Sequence, residues 1–429
     1  MLHIINMAKP NGFFFIRIWL TILFSVLLIS AGFTQNNNSP YSIHAIGDIT
    51  DNIINRTSGL ASTGLAYRNN RNIITNNPAA LSALDNQFFV GEIGINGKYV
   101  DYSGNMVSQT NHESSDITFK RFSLATKVTR HLGSAVGLVP YSEENYEYFS
   151  TRPIGYSGDM IPTYDQGYGG INKVYWANGY DFFNHLSLGL TTSYLFGSIN
   201  NKNIIQGQGA SIYISKNNNT FLNNFYFDYG LQYYASINSH WDFTIGAVYA
   251  NQTALNTQTN ITVVNLDSNV LRSKISVGTY NIPTSYGLGF SITKNKKYTL
   301  VADYKFQNWS SLRTTTGDFF YENSQRASIG FEISNKKVAY NTLYETSYLQ
   351  AGFYYNKTYL IVNGTPINDI GGSIGMGVNS KRSPLSFIVV FQYGIKGTTY
   401  NNLLRENYAN LSFVFSFRDL WYTHGRKFE

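Results

Sequence analysis

The chain has 429 residues, 16% of them aromatic and only 13% charged, about half the roughly 25% charge of an ordinary soluble domain. A mean hydropathy of −0.20 excludes a helical membrane bundle, in which each span needs about 20 consecutive apolar residues. The net charge of +7 is spread without a block, so no nucleic-acid partner is read from it, and zero Cys removes disulfides, thiolate metal sites and a lipidated anchor.

Residues 1–34 read as a signal peptide. Lys9 and Arg17 supply the positive start, and Ile18 to Ile29 form a short apolar run. Ser30, Ala31 and Gly32 are small and suit cleavage after Gly32 or Thr34. A retained anchor needs a longer run and a basic flank, and Gln35 to Ser39 is polar and uncharged. The mature protein is expected to be exported.

Residues 40–86 are rich in Gly, Asn and Ser and lack clear period-two patterning. From Phe88 onward, segments of about 8 to 12 residues alternate large apolar with small or polar residues, as transmembrane barrel strands do. Leu411, Phe413, Phe415 and Phe417 against Ser412, Ser416 and Arg418 are the clearest case. Phe225, Phe227, Tyr229, Leu231 and Tyr233 repeat the pattern, as do Ala327, Ile329, Phe331 and Ile333. Outer-membrane barrels pair short periplasmic turns with long external loops, and the two sets must alternate. Short links are expected near 129–132, 181–185, 237–240, 294–297 and 379–383, with a longer inner one near 335–347. Long links are expected near 97–115, 142–169, 197–222, 257–269, 309–323, 356–369 and 394–407. They alternate if 270–293 is one strand interrupted at Pro283, whose nitrogen cannot donate to a ladder. The expectation is an all-β, 14-stranded antiparallel outer-membrane β-barrel over 87–418, with 419–429 a periplasmic tail. The aromatic phase of the last strand would also present an amphipathic signal to the barrel-assembly machinery.

Gly59 to Tyr67 (GLASTGLAY), followed by Asn77-Pro78-Ala79-Ala80-Leu81, resembles the N-terminal plug signature of the FadL-type outer-membrane transporters. The likeness continues through Gly167–Gly170 with Tyr175, Leu186–Phe196, Pro283–Gly287 and Asp303–Trp309. Glu406–Tyr408 and Arg418–Phe428 look like a FadL-like subgroup, so nearly all of the mature chain is covered. The resemblance implies fourteen strands around an N-terminal hatch over 35–86. It also implies uptake of a hydrophobic small-molecule ligand, such as a long-chain fatty acid, across the outer membrane when the hatch moves. The same fold serves as a scaffold or adaptor in surface or protein-secretion complexes, so a protein partner is the alternative.

Glu92, Asp228, Asp303, Lys305, Arg326 and Glu332 occupy the polar phase of their strands and are placed in the lumen, anchoring the hatch, lining a wet wall or touching ligand directly. Arg56, Arg68 and Arg71 are candidate partners for the acidic members. Gly59 and Gly64 give the hatch backbone room to turn or move, or are ordinary loop glycines. Asn77 and Pro78 fix the direction of the chain into the first strand, or take part in gating. The aromatic abundance suits a lipid belt. His131, His185 and His240 fall in inner turns, His44 in the hatch and His424 in the tail. His112, with Glu113 and Asp116, sits in an outer loop and reads as solvated. No enzyme constellation, metal site or cofactor is expected.

Overall fold

The structure, a computed structural model, describes residues 39–50, 53–104, 112–153, 160–206, 213–312, 319–339, 342–380 and 384–420. The expected signal peptide and the tail residues Trp421, Tyr422 and His424 lie outside the described residues. A two-residue strand β1 (Asp48–Ile49) precedes β2 (Phe88–Ser103), β3 (Glu113–Lys127), β4 (Leu132–Pro153), β5 (Met160–Phe182), β6 (Leu186–Gln206) and β7 (Tyr213–Ser236). Next come β8 (Trp241–Ala250), β9 (Thr253–Asn265), β10 (Val270–Ile282), β11 (Ser285–Lys294) and β12 (Tyr298–Gln307). The chain ends with β13 (Phe319–Tyr321), β14 (Ser324–Ala339), β15 (Thr342–Val362), β16 (Thr365–Asn379), β17 (Leu385–Gly397) and β18 (Arg405–Leu420).

These segments build fourteen staves, because β8 continues into β9, β10 into β11, and β13 into β14. Every ladder is antiparallel, and β18 closes the barrel on β2 from Arg405↔Ser103 to Leu420↔Phe88. The interruption expected at Pro283 is present. It lies beside a second one at Asn251-Gln252, since Ser285 pairs with Ala250 and Ile282 with Thr253.

Alternation places the two faces. On β12, Val301 and Asp303 point inward and are buried, while Leu300 and Tyr304 are exposed on the outside. Outward Tyr229, Tyr249 and Tyr286 form a ladder with ring centroids 5.4–6.1 Å apart. Tyr233 beside Phe243 and Tyr298 beside Phe331 lie nearer the inner rim. Aromatic rows of this kind flank an apolar band about 25 Å tall.

The outer links differ from the expectation. The β4–β5 ladder runs on to Pro153↔Met160 and the β6–β7 ladder to Gln206↔Tyr213, so most of 142–169 and 197–222 is strand. Beyond the membrane both faces of a strand meet water, so apolar alternation fades although main-chain pairing continues. Most of the inner link at 335–347 is likewise paired, with a bulge at Asn335/Lys336 and a ladder reaching Ala339↔Thr342. The other inner links fall where expected, with His131, His185 and His240 in them.

One seam of the wall is incomplete. β3 and β4 pair only from Phe122↔Leu138 down to Lys127↔Gly133. Above that, β1 lies on the free edge of β4, with Asp48 opposite Glu143 and Ile49 opposite Ser142.

Candidate functional site

The N-terminal segment folds as three short 3-10 helices, Pro40–Ile43, Arg56–Leu60 and Pro78–Ala83. Each has a local cause. Asn55 caps the second, its side chain accepting from the Thr57 N–H at 2.7 Å, and Asn77 caps the third by accepting from Ala79 N–H at 3.1 Å. Pro78 sits at the first helical position, where its missing N–H costs nothing.

Wall residues facing inward meet this segment. Arg56, fully buried, donates to Glu332 at 2.9 Å and to both oxygens of Glu345 at 2.5 and 2.8 Å. Its guanidinium also lies 3.7 Å from the ring centroid of Tyr348. Burial alone would lower its pKa, but the two carboxylates overcome that and hold it well above the ordinary arginine value. Glu332 accepts further bonds from Tyr67 at 2.8 Å and Gln350 at 2.6 Å. Asp303 accepts the backbone N–H groups of Gly64 and Leu65 at 2.7 and 2.9 Å. Arg326 donates to the Ala61 carbonyl at 3.1 Å, and Glu92 accepts from Ile73 N–H at 3.0 Å while pairing with Arg121 at 3.3 Å.

The sequence-selected residues therefore divide. Glu92, Asp303, Arg326 and Glu332 gather on the segment, whereas Asp228 pairs with Lys173 at 2.6 Å on the wall, and Lys305 lines a cavity there. Among the arginines, Arg56 finds carboxylates. Arg68 instead donates to Ser187 and Gln232 at 3.1 and 3.0 Å, and Arg71 lies 4.8 Å from the Tyr344 ring centroid. Glu345 and Arg121 were not anticipated. Glu345 falls in the stretch expected as an inner link, and Arg121 flanks the bulge where the β2–β3 register shifts between Gly94 and Ile95. His112 pairs with Asp101 at 2.9 Å in an exposed position.

Gly59 and Gly64 serve close approach. A Cβ on Gly59 would stand 2.8 Å from the Gly375 Cα, and one on Gly64 2.7 Å from the Asn76 side chain. Wall glycines reciprocate: a Cβ at Gly246 would meet the Leu65 carbonyl at 2.0 Å and one at Gly189 the Ala79 nitrogen at 2.2 Å. Asn77 binds the same region, reaching the carbonyls of Leu65, Leu231 and Ala247 at 2.9, 3.1 and 3.2 Å.

Three cavities adjoin the segment. One, of about 200 Å³, is polar and contains Lys98, Lys396, Asp48, Glu406 and Arg326. A second of similar size mixes Ile53, Ile54, Val139, Tyr141 and Phe306 with Lys120, Lys173 and Lys305. A third, of about 470 Å³, contains Arg56, Arg68, His185 and Lys336. The first cavity shares Thr118 and Glu143 with an outer groove lined by Ile117, Phe119, Tyr194 and Phe196, and the incomplete β3–β4 seam lies between them. An ion pair between Lys120 and Glu143 spans that seam. Among the described residues no three His, Asp or Glu side chains gather as a metal-ligand set.

The BamG family model matches residues 15–429. Among solved structures, the chain is similar to a Pseudomonas aeruginosa FadL homologue, with a TM-score of 0.58 and 13% identity over 88% of this chain and 100% of that one. It is likewise similar to the P. putida toluene transporter TodX, at TM-score 0.58 and 14% identity over 86% and 98% of the two chains. The CymD monoaromatic hydrocarbon channel matches at TM-score 0.55 and 13% identity over 86% and 97%. At these identities the likeness is one of fold, and the FadL-type resemblance read from the residues holds at that level. No curated protein matches.

Proposed function

We propose that this chain, which belongs to the BamG family, is an outer-membrane channel of the Gram-negative type through which small hydrophobic compounds pass from the exterior into the membrane. Residues 39–86 act as its plug. Ile54 borders the two outer cavities and Arg56, two residues on, borders the inner one, so the segment divides the lumen. Moving it bodily breaks buried charge pairs, each worth several kcal/mol when one partner is stranded. The incomplete β3–β4 seam offers a route that leaves the plug in place. A solute entering beside Ile53 and Ile54 reaches the outer groove once Lys120 and Glu143 part.

The observation that carries this reading is the seam. The second cavity, which reaches that seam at Lys120 and Pro140, measures about 200 Å³, closer to the roughly 150 Å³ that holds benzene than to the ~300–1,000 Å³ of larger ligand sites. A monoaromatic hydrocarbon is therefore the better fit, and among the similar structures TodX is a toluene transporter and CymD a monoaromatic hydrocarbon channel. A long-chain fatty acid needs a wider space than the cavity provides. The test replaces Lys120 and Glu143 with Cys and bridges them with a short bis(methanethiosulfonate), which forms a disulfide with each thiol and releases methanesulfinate. Toluene uptake by cells whose only such channel is this protein should fall to background when bridged. Unchanged uptake sinks the seam route.

A second reading, a non-transporting partner of the barrel-assembly machinery, is favoured by the family's name and by the number of bonds holding the plug. In that case neither the bridged nor the open form carries toluene, and both retain the protein partner.

A further inference from the structure

The outer part of β10 is an open sheet edge. Its ladder is with β9, from Val270↔Val264 to Ile282↔Thr253, and among the described residues no strand pairs with its other side along 270–279. The hydroxyls of Tyr280 and Tyr321, 3.0 Å apart, tie the base of this edge to β13. Long bare edges are uncommon because their unpaired N–H and C=O groups template another strand.

This edge lies outside the membrane. β11 carries the wall past the outward Tyr286, and β10 continues beyond the break at Pro283-Thr284. Yet its outer face carries Leu271, Ile275 and Val277, exposed by 58, 65 and 79%, with Ser273 and Thr279 in the same phase. The opposite face carries Arg272 and Lys274, and Lys216 on β7 faces the same way through Val263. Among the described residues Arg272 and Lys274 have no ion-pair partner, and the carboxylate in their cross-strand rows, Asp165, stands four strands away beyond Val263, Lys216 and Asn203.

We propose that β10 receives an extended strand of a different protein, added edge to edge, with carboxylates on alternate residues facing Arg272 and Lys274 and apolar residues facing Leu271, Ile275 and Val277. Main-chain pairing would supply affinity and the alternating pockets specificity. A second copy of this chain is a poorer occupant, because antiparallel pairing of two β10 edges brings Arg272 and Lys274 against their own kind. The inference does not depend on transport, since the edge is remote from the β3–β4 seam.

The test uses the full-length protein in lipid nanodiscs and a nine-residue probe peptide alternating Glu with Val. Binding is followed by fluorescence anisotropy, and the amides of 270–279 by hydrogen exchange. The alternating acidic peptide should slow exchange of those amides and bind about tenfold tighter than either a scrambled or a Lys-for-Glu version. The double substitution R272E and K274E should invert that preference, and the inversion separates recognition from misfolding because the variant then binds the Lys peptide. Equal binding of scrambled and alternating peptides overturns the proposal, as does exchange unaffected by the peptide. Slow exchange without peptide also overturns it: if it depends on protein concentration a second copy fills the edge, and if it appears in nanodiscs but not in detergent the lipid does.

Discussion

Arg56 is the residue on which most of the buried charge converges. Arg56→Ala strands Glu332 and Glu345 without their cation, and the barrel should lose about 3–5 kcal/mol, read as a lower midpoint in urea unfolding from vesicles. Adding Glu345→Gln to that variant should recover part of the loss, because one stranded charge is gone. At the other end of the segment, Asp48 pairs with Lys396 at 2.6 Å. Burial works against the Asp48 carboxylate, but Lys396 and Lys98 outweigh it and hold its pKa below the usual carboxylate range. A depressed carboxylate stabilises the folded form above its unfolded pKa and stops doing so as pH falls through the folded value. The arm Ser39–Ile49 should therefore stay docked at neutral pH and release only below about pH 4. In Lys396→Gln it should release at higher pH, and fluorescence of a probe placed on the arm would show both transitions. No change between the two proteins would remove Asp48 as the latch.

At the scale of elements, strand phase was legible in the sequence and its limits are equally instructive. Asp303 between Ala302 and Tyr304, and Glu332 between Phe331 and Ile333, have apolar outward neighbours, and Arg326 shares the phase of Glu332, so alternation alone turned them inward. Glu345 escaped because its neighbourhood reads as a turn: Lys336, Lys337 and Asn341 break the apolar phase while the ladder persists. The long outer strands escaped for the same reason, lacking lipid to enforce a pattern. The partnering of Arg68 with Ser187 and Gln232, rather than with acids, depends on which staves face the segment, and that is a tertiary fact. The wall glycines were visible as letters but not as contacts. Gly246→Val should press on the Leu65 carbonyl and lift the segment, costing about 1–3 kcal/mol. Gly97→Val, where the nearest atom would stand 3.8 Å from the added Cβ, should be tolerated. Limited proteolysis of residues 39–86 in the two variants would reveal the difference, and equal resistance would refute the close-packing account.

For the whole molecule, the fourteen-stave count followed from link parity, and the single assumption it needed, one strand broken at Pro283, matches the observed pairing. The incomplete seam was not foreseeable, since β3 and β4 both carry strand-like residues at the positions where they part. Deleting residues 39–86 should leave a closed barrel with a wide aqueous lumen, because every wall ladder except the two residues held by β1 is independent of the segment. Planar-bilayer recordings should show a large conductance absent from the full chain. A silent deletion variant would mean that something other than the segment closes the pore.

The ion pairs of Arg56 also impose an order in time. Glu332 and Glu345 lie 276 and 289 residues downstream, so the stretch that is synthesised first has to wait for partners that arrive near the end. Once β18 meets β2 the cylinder is sealed, and nothing as large as this segment can be threaded in afterwards. Its polar side chains must therefore be gathered inside a curved, still unclosed sheet, and the final zippering traps them there. The act that completes the wall is then the same act that finishes the interior, and a chain whose N-terminus arrives late would close around water.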